Sequence, residues 1–184
     1  MQSAQSAPVL SVRRIVITAI LAAISILLGV TRLGYIPVPN LAGNATILHV
    51  PVIIGAILEG PLVGTLVGLI FGITSMLQGG GTFFADPLVS VLPRLFIGAA
   101  AYYSYVLLRG QSEYMALIVS SVVGTLTNTI LVVGMLIARG YFPVAAIPTL
   151  IPQVIAEVII AAVITVAVVA AWKNIDGGRK GSSI

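Results

Sequence analysis

The sequence contains no cysteine and very few charged residues. Charged side chains make up 8% of the chain and hydrophobic residues 59%, whereas about a quarter of the residues in a typical soluble domain are charged. Such a composition cannot cover a water-facing surface, so we interpret the chain as an integral membrane protein. The absence of cysteine excludes disulfides, thiolate metal sites and cysteine nucleophiles. The scarcity of charge gives little support to nucleic-acid binding, and we expect none.

Sequence motifs of enzymes are also missing. The chain has no Gly-x-x-x-x-Gly-Lys phosphate loop, no Gly-x-Ser-x-Gly turn, no His-Glu-x-x-His pair and no paired acidic metal box. The single histidine, His49, has no second ligand at metal spacing, and we interpret it as a hydrogen-bonded polar residue. We therefore expect no catalytic residues, no metal site, no cofactor and no ATP hydrolysis by this chain.

Six apolar segments predict an all-α membrane protein with six transmembrane helices. They cover roughly residues 14–31, 45–59, 61–78, 87–108, 114–138 and 145–172. We assign residues 13–173 to a single six-helix membrane domain, with an N-terminal tail at 1–12 and a C-terminal tail at 174–184. Arg13 and Arg14 precede an apolar run that lacks a good signal cleavage site, so we interpret this run as a retained first span.

The distribution of basic residues predicts the orientation. Only Arg32 and Arg139 fall at one end of a six-span bundle, and the positive-inside rule then places both termini in the cytoplasm. The basic residues at the other end are Arg13, Arg14, Arg109, Lys173, Arg179 and Lys180. Aromatic residues should mark the two interfaces, with Trp172 inside and with Tyr35, Tyr141 and Phe142 outside.

Polar side chains fall in the outer half of the predicted membrane. With a rise of about 1.5 Å per residue, Arg94 lies about 10 Å and Asn128 about 16 Å below the outer ends of their spans. Thr149, Gln153 and Glu157 share one face of the last span. Ionisable groups at this depth normally face the bundle interior or a water-filled cavity. Two interpretations remain open: Arg94 and Glu157 form a buried ion pair that fixes helix packing, or these side chains line a pocket for a polar small molecule.

Two outer connections, residues 32–44 and 79–86, are longer than a turn requires. They mix glycine, proline, asparagine and aromatic residues, which is typical of loops and also of a lid over an outward-facing pocket. The candidate ligand contacts in this lid are Asn40, Asn44, Phe83 and Phe84, the last two as apolar cover. Asp86, which precedes a proline, predicts the N-terminal cap of the fourth span.

Small residues recur at four-residue steps in two spans. In the first span Ala19 and Ala23 share a face, which would allow another helix of this chain or of a partner to approach closely. In the third span a longer stripe predicts close packing against another helix of the same chain; its members are Gly60, Gly64, Gly68 and Gly72.

Three stretches resemble the substrate-binding S component of energy-coupling factor (ECF) vitamin transporters. They are Ile47-Leu-His-Val-Pro-Val-Ile-Ile-Gly-Ala, Asp86-Pro-Leu-Val-Ser-Val-Leu-Pro-Arg-Leu-Phe-Ile-Gly and Gly124-Thr-Leu-Thr-Asn-Thr-Ile-Leu. The resemblance implies a multi-pass protein of a prokaryotic plasma membrane that captures a vitamin from outside. It also implies three kinds of partner, namely membrane lipid, a transmembrane coupling subunit and two ATPase subunits. Ala19 and Ala23 match the small-residue motif with which that family contacts the coupling subunit.

The cargo suggested by the resemblance is a small vitamin or vitamin precursor. The proline-arginine pattern around Arg94, together with Asn128, is most similar to branches that handle pantothenate, with a pyrimidine or pyridine precursor as the next candidate. Arg94 could hold the carboxylate of pantothenate in a charge-assisted hydrogen bond, or it could be architectural throughout the family. The competing function is a stand-alone, ion-coupled secondary carrier or channel for a small polar solute, with Glu157 as its buried acid.

Overall fold

The structure, a computed structural model, describes residues 11–37, 44–78 and 83–181, with side chains as far as residue 175. Within these residues the chain is a bundle of helices with one small β-ribbon. The helices are α1 (Val12–Val30), α2 (Val50–Glu59), α3 (Pro61–Gln78), α4 (Pro87–Ser90), α5 (Leu92–Leu108), α6 (Glu113–Ala138) and α7 (Ile151–Gly181). A 3-10 helix, Val144–Leu150, precedes α7, and the antiparallel strands β1 (Tyr35–Ile36) and β2 (Ala45–Thr46) form the ribbon.

Five of the six predicted spans are confirmed, within the described residues, as helices long and apolar enough to cross a membrane. They are α1, α3, α4 together with α5, α6, and the 3-10 helix together with α7. The predicted second span is a shorter apolar helix, α2, of ten residues. A helix of that length extends about 15 Å, half of the roughly 30 Å hydrocarbon core. The prediction of a helix from residue 45 is wrong, because residues 45 and 46 pair with β1 instead.

The short helix α2 lies in the middle of the bundle. Its residues 50–57 are all buried, which suits a helix that is apolar around its whole circumference. Side chains of α1, α3, α5, α6 and α7 pack around it to form the main hydrophobic core. The predicted turn after Glu59 is present and leads directly into α3, so α2 and α3 form a helical hairpin.

The glycines of α3 allow α5 to approach closely, as the stripe predicts. A Cβ atom on Gly68 would overlap the carbonyl oxygen of Arg94, and one on Gly64 would lie 2.8 Å from Cα of Gly98. Gly60 differs from the others. Its φ is 101°, and a Cβ there would meet none of the described residues within 4 Å. Its role is therefore the turn into α3, which requires a backbone conformation that glycine adopts readily.

We expect Gly68→Ala to lower the free energy of unfolding by about 1–3 kcal/mol, the usual cost of overpacking a tight contact. The added methyl group would overlap the α5 backbone, which cannot rotate away as the end of a side chain can. Gly134→Ala on α6 is the matched control, because no atom of residues 11–37, 44–78 or 83–175 outside its own stretch of helix would lie within 4 Å of a Cβ there. Thermal unfolding in detergent measures both variants. Equal stability of the two would contradict the close approach of α3 and α5.

Ion pairs join helices at the basic end of the bundle. Nε of Arg13 on α1 lies 2.7 Å from a carboxylate oxygen of Glu59 at the end of α2. Lys173 on α7 pairs with Glu113 at the start of α6. The alternating direction of the spans thus brings the basic residues of α1 and α7 to helix ends that carry acids. Which end faces the cytoplasm, and the division into one domain with two tails, stay predictions.

Candidate ligand-binding site

A cavity of about 400 Å³ lies at the end of the bundle opposite Arg13, Arg109 and Lys173. Small-molecule sites in proteins commonly have volumes of about 300–1,000 Å³. The polar lining residues are Arg32, Tyr35, Asn44, Thr46, Ser75, Gln78, Arg94, Asn128, Thr129, Gln153 and Glu157. The larger apolar ones are Phe71, Phe84, Val132, Val133, Leu136, Leu150 and Val154.

The cavity lies beyond the N-terminal end of α2. His49, the residue before α2, is fully buried, and its Nε2 lies 2.9 Å from Oγ1 of Thr125 on α6. About one turn further along α6, Asn128 and Thr129 line the cavity. The predicted hydrogen bond of His49 is therefore present at one ring nitrogen. Among the described residues, no group of three or more His, Asp or Glu side chains could hold a metal ion.

Six of the eight predicted ligand contacts line this cavity, and their role in binding stays a prediction. They are Asn44, Phe84, Arg94, Asn128, Gln153 and Glu157. Phe83 is outside the lining and packs on Tyr141, with the ring centroids 5.4 Å apart. Asn40 lies outside the described residues.

Arg94, in the first turn of α5, has hydrogen-bonding capacity that the fold does not use. It is 4% exposed, and one terminal nitrogen donates to the carbonyl oxygen of Val89. Its Cζ lies 5.3 Å from the ring centroid of Phe71 and 5.8 Å from that of Phe84. Among the described residues, Nε of Arg94 and Oδ1 of Asn128 have no hydrogen-bond partner. Buried polar atoms are nearly always paired, so both atoms are available to a bound molecule.

Glu157 is not the ion-pair partner of Arg94. Within the described part of the chain, no Arg94 nitrogen lies within 4.0 Å of a Glu157 carboxylate oxygen. Oε1 of Glu157 instead accepts from the backbone N–H of Thr46 at 2.6 Å and from Nε2 of Gln153 at 3.1 Å. The interpretation of a packing ion pair is therefore wrong. The two side chains reach the same cavity, but the carboxylate is bonded by β2 and by its own helix.

Several lining residues were not predicted. Tyr35, expected at the outer interface, lies half-buried on β1 and lines the cavity. Ser75 and Gln78 line it from the end of α3, together with Phe71 one turn earlier. Phe71, Ser75 and Gln78 are spaced four and three residues apart, so they share one face of α3, as Gln153 and Glu157 share one face of α7. The same periodicity argument, applied to α3, would have found them.

Two expectations near the start of α7 are wrong. Thr149 is exposed and bonds the carbonyl oxygen of Ala146 at 2.7 Å, because residues 144–150 form a 3-10 helix in which the α-helical spacing does not hold. Phe142, expected at the membrane interface, is buried in a second hydrophobic cluster with Val132 and Leu136 of α6. That cluster supports the part of α6 that lines the cavity.

Asp86 joins two helices beside the cavity. As predicted, it caps α4, with Oδ1 accepting from the backbone N–H of Leu88 at 3.0 Å. Its Oδ2 accepts from Nε of Arg139, beyond the end of α6, at 2.7 Å. The Leu88 bond and the Arg139 guanidinium lower the pKa of Asp86 from its ordinary value. The bridge ties the segment that carries Phe84 to the end of α6.

Known proteins share this architecture. The family model described as "ECF transporter, substrate-specific component" matches residues 13–169. A solved structure of the S component of a bacterial ECF transporter superposes with a TM-score of 0.65 at 20% identity, covering 89% of this chain and 96% of that one. The pantothenic acid transporter PanT of Lactococcus lactis subsp. cremoris (strain MG1363) is 27% identical, over 68% of this chain and 76% of that protein.

The family match covers most of the chain and all seven helices at least in part. The similarity to the solved structure concerns the fold, and it extends over nearly the whole of both chains. A family of transport components accounts for the apolar spanning helices and for the buried polar cavity. The protein is therefore not an enzyme, and it belongs to the family of substrate-specific components of ECF transporters.

Proposed function

We propose that this chain captures pantothenate at the outer face of a prokaryotic plasma membrane, as the substrate-binding subunit of an ATP-driven importer. The cavity end faces outward when the positive-inside rule is applied to the basic end. Its partners are a transmembrane coupling subunit and two ATPase subunits, since the chain carries no phosphate-binding loop of its own. Family membership and the 27% identity to PanT support this proposal.

The observation that carries the choice of cargo is the unused donor of Arg94. Glu157 already accepts hydrogen bonds from β2 and α7, whereas Arg94 lies among aromatic rings, and its Nε has no hydrogen-bond partner in the part of the chain that the structure describes. A carboxylate would supply the opposite charge and accept from this donor, in a bond roughly twice as strong as a neutral one. Pantothenate carries a carboxylate, and its amide N–H or a hydroxyl can donate to Oδ1 of Asn128.

The cavity wall favours pantothenate over a flat aromatic precursor. The rings of Phe71 and Phe84 both lie near the Arg94 guanidinium, so they are engaged in cation–π contacts. Aliphatic side chains form the rest of the apolar wall, and they suit the two methyl groups of pantothenate. A pyrimidine or pyridine vitamin precursor is the second candidate cargo.

Equilibrium binding to the purified chain in nanodiscs tests the cargo. We expect saturable binding of radiolabelled pantothenate. Panthenol, in which an alcohol replaces the carboxylate, should compete roughly tenfold to a hundredfold less well, the equivalent of one charged hydrogen bond. Equal competition by the two compounds would contradict the carboxylate role of Arg94. Absence of pantothenate binding, with a pyrimidine or pyridine retained through purification in mass spectrometry, would assign the second cargo.

Reconstitution in liposomes separates an importer from a stand-alone carrier. We expect pantothenate uptake only when the chain is co-purified with its coupling and ATPase subunits and ATP is present on their side of the membrane. Uptake by the chain alone, driven by a sodium or proton gradient, would instead establish an ion-coupled carrier.

A further inference from the structure

The β-ribbon forms one side of the cavity and is too short to be held by its own hydrogen bonds. Tyr35 of β1 and Thr46 of β2 line the cavity, together with Asn44 just before β2. Pairing covers two residues on each strand. Even a longer isolated two-stranded hairpin is at best marginally stable in water. The ribbon therefore needs an anchor elsewhere in the fold.

This anchor is on α7, 111 residues away from β2 along the chain. Oε1 of Glu157 accepts from the backbone N–H of Thr46 at 2.6 Å, a contact that we name the ribbon catch. Nε2 of Gln153 donates to the same Glu157 oxygen at 3.1 Å and to the carbonyl oxygen of Asn44 at 3.4 Å. Two side chains of one helix face therefore hold both residues that flank Ala45.

We propose that Glu157 is a positioning residue that keeps the β-ribbon closed over the cavity and thereby controls ligand release rather than ligand recognition. The inference rests on the proposed function, capture of a small molecule by this cavity. Glu157 is 1% exposed, and a buried carboxylate requires hydrogen-bond donors. Opening the ribbon would remove the Thr46 donor and leave the carboxylate with the side-chain donors of Gln153 and Thr129 alone. The closed ribbon is therefore favoured, and a bound molecule dissociates only after the hydrogen bond between Glu157 and Thr46 has broken.

Two substitutions of Glu157 distinguish this role from a role of its charge. Glu157→Gln keeps an oxygen that can accept the Thr46 N–H, whereas Glu157→Ala removes the acceptor. If the negative charge balanced Arg94 or held a cationic group of the ligand, both substitutions would be equally harmful. If the ribbon catch holds the ribbon closed, hydrogen exchange of the ribbon in Glu157→Gln should be close to that of the wild type.

Hydrogen exchange of the ligand-free full chain tests the catch without reference to the cargo. Peptides that cover residues 44–48 should exchange roughly tenfold to a hundredfold faster in Glu157→Ala and within about threefold of wild type in Glu157→Gln. Thr165→Val is the matched control, because it removes another buried polar group of α7 that is not part of the cavity lining. Wild-type exchange in the alanine variant, or equal acceleration in both Glu157 variants, would overturn the proposal.

A second pair of variants removes the donor instead of the acceptor, and it decides the question even if Glu157→Ala does not fold. Thr46→Pro deletes the N–H that the carboxylate accepts. The Thr46 N–H is bonded to Glu157 and not to β1, so proline at this position removes no hydrogen bond of the ribbon. The preceding residue, Ala45, is in the extended conformation that proline favours before it. Thr46→Val keeps the N–H and loses only the hydroxyl, which accepts from the backbone N–H of Leu48 at 3.2 Å. We expect accelerated exchange in the proline variant alone. Equal exchange in the two variants would contradict the catch.

The dissociation rate of pantothenate separates the catch from the cargo. We expect Glu157→Ala to release radiolabelled pantothenate roughly tenfold to a hundredfold faster, with the association rate changed by less than about threefold. If the wild type does not bind pantothenate, the cargo is wrong, and the exchange experiments still decide on the catch. An unchanged dissociation rate in a variant whose ribbon exchanges faster would show that the ribbon does not control release.

Discussion

We expect Arg94→Met to weaken pantothenate binding by at least roughly tenfold to a hundredfold while the protein stays folded. The loss corresponds to one charged hydrogen bond, about 1.5–3 kcal/mol. The variant should fold because Glu157 is bonded to Thr46 and Gln153, so no buried carboxylate loses an ion-pair partner. Methionine also removes a buried cation whose Nε has no partner among the described residues.

Calorimetry and thermal unfolding measure the two effects separately. Arg109→Met is the matched control, since Arg109 is exposed at the basic end, far from the cavity. Arg94→Lys should bind with intermediate affinity, because it keeps the charge but loses the planar fork. Undiminished affinity of Arg94→Met would refute the ligand-holding role. Arg94→Met could instead unfold, and adding Glu157→Gln could restore the fold. That result would indicate that the two charges stabilise each other in the folded protein.

We expect the double variant Ala19→Leu, Ala23→Leu to lose assembly with the coupling subunit while pantothenate affinity stays unchanged. Both alanines are exposed on α1, whereas Leu21 and Ala22 are buried against the rest of the chain. Small residues at this spacing let a second helix approach closely, and leucine side chains would hold it away. Because this face does not pack within the chain, the substitutions leave the core intact.

Co-purification of the ATPase subunits with the tagged chain measures this assembly, and ATP-driven uptake measures its consequence. Ala167→Leu combined with Ala171→Leu is the matched control, because these alanines are also exposed and four residues apart, on α7. We expect the control to assemble and transport normally. Normal assembly of the α1 variant would show that its small-residue face meets only lipid.

Hydropathy predicts the long helices of this fold because a bilayer requires long apolar segments with satisfied backbones. The same rule fails for α2, which is surrounded by protein and need not match the membrane thickness. Hydropathy includes residues 144–150 in the last span, but it does not reveal that they form a short 3-10 helix with Pro148 inside it.

The cavity residues were predictable in part, because the rise per residue gives the height of a side chain in the membrane. Height places Arg94, Asn128 and Glu157 in the same half of the membrane, and all three line the cavity. Height does not give hydrogen-bond partners. The partner of Glu157 is the backbone of Thr46, in a two-residue strand whose sequence has no room for an alternating pattern. The hydrogen bond between Thr46 and Glu157 depends on how the connection between α1 and α2 folds, which the local sequence does not reveal.

The position at which α2 begins determines how long a cavity this bundle can form along the α2 axis. The surrounding helices are long enough to cross the full apolar thickness, whereas α2 is long enough for about half of it and leaves the remaining height along its axis to the cavity. Each helical turn gained or lost before Val50 would shorten or lengthen the available space by about 5.4 Å. The length of the largest molecule that this scaffold accepts is thus adjustable through one interior helix, without altering the helices that surround it.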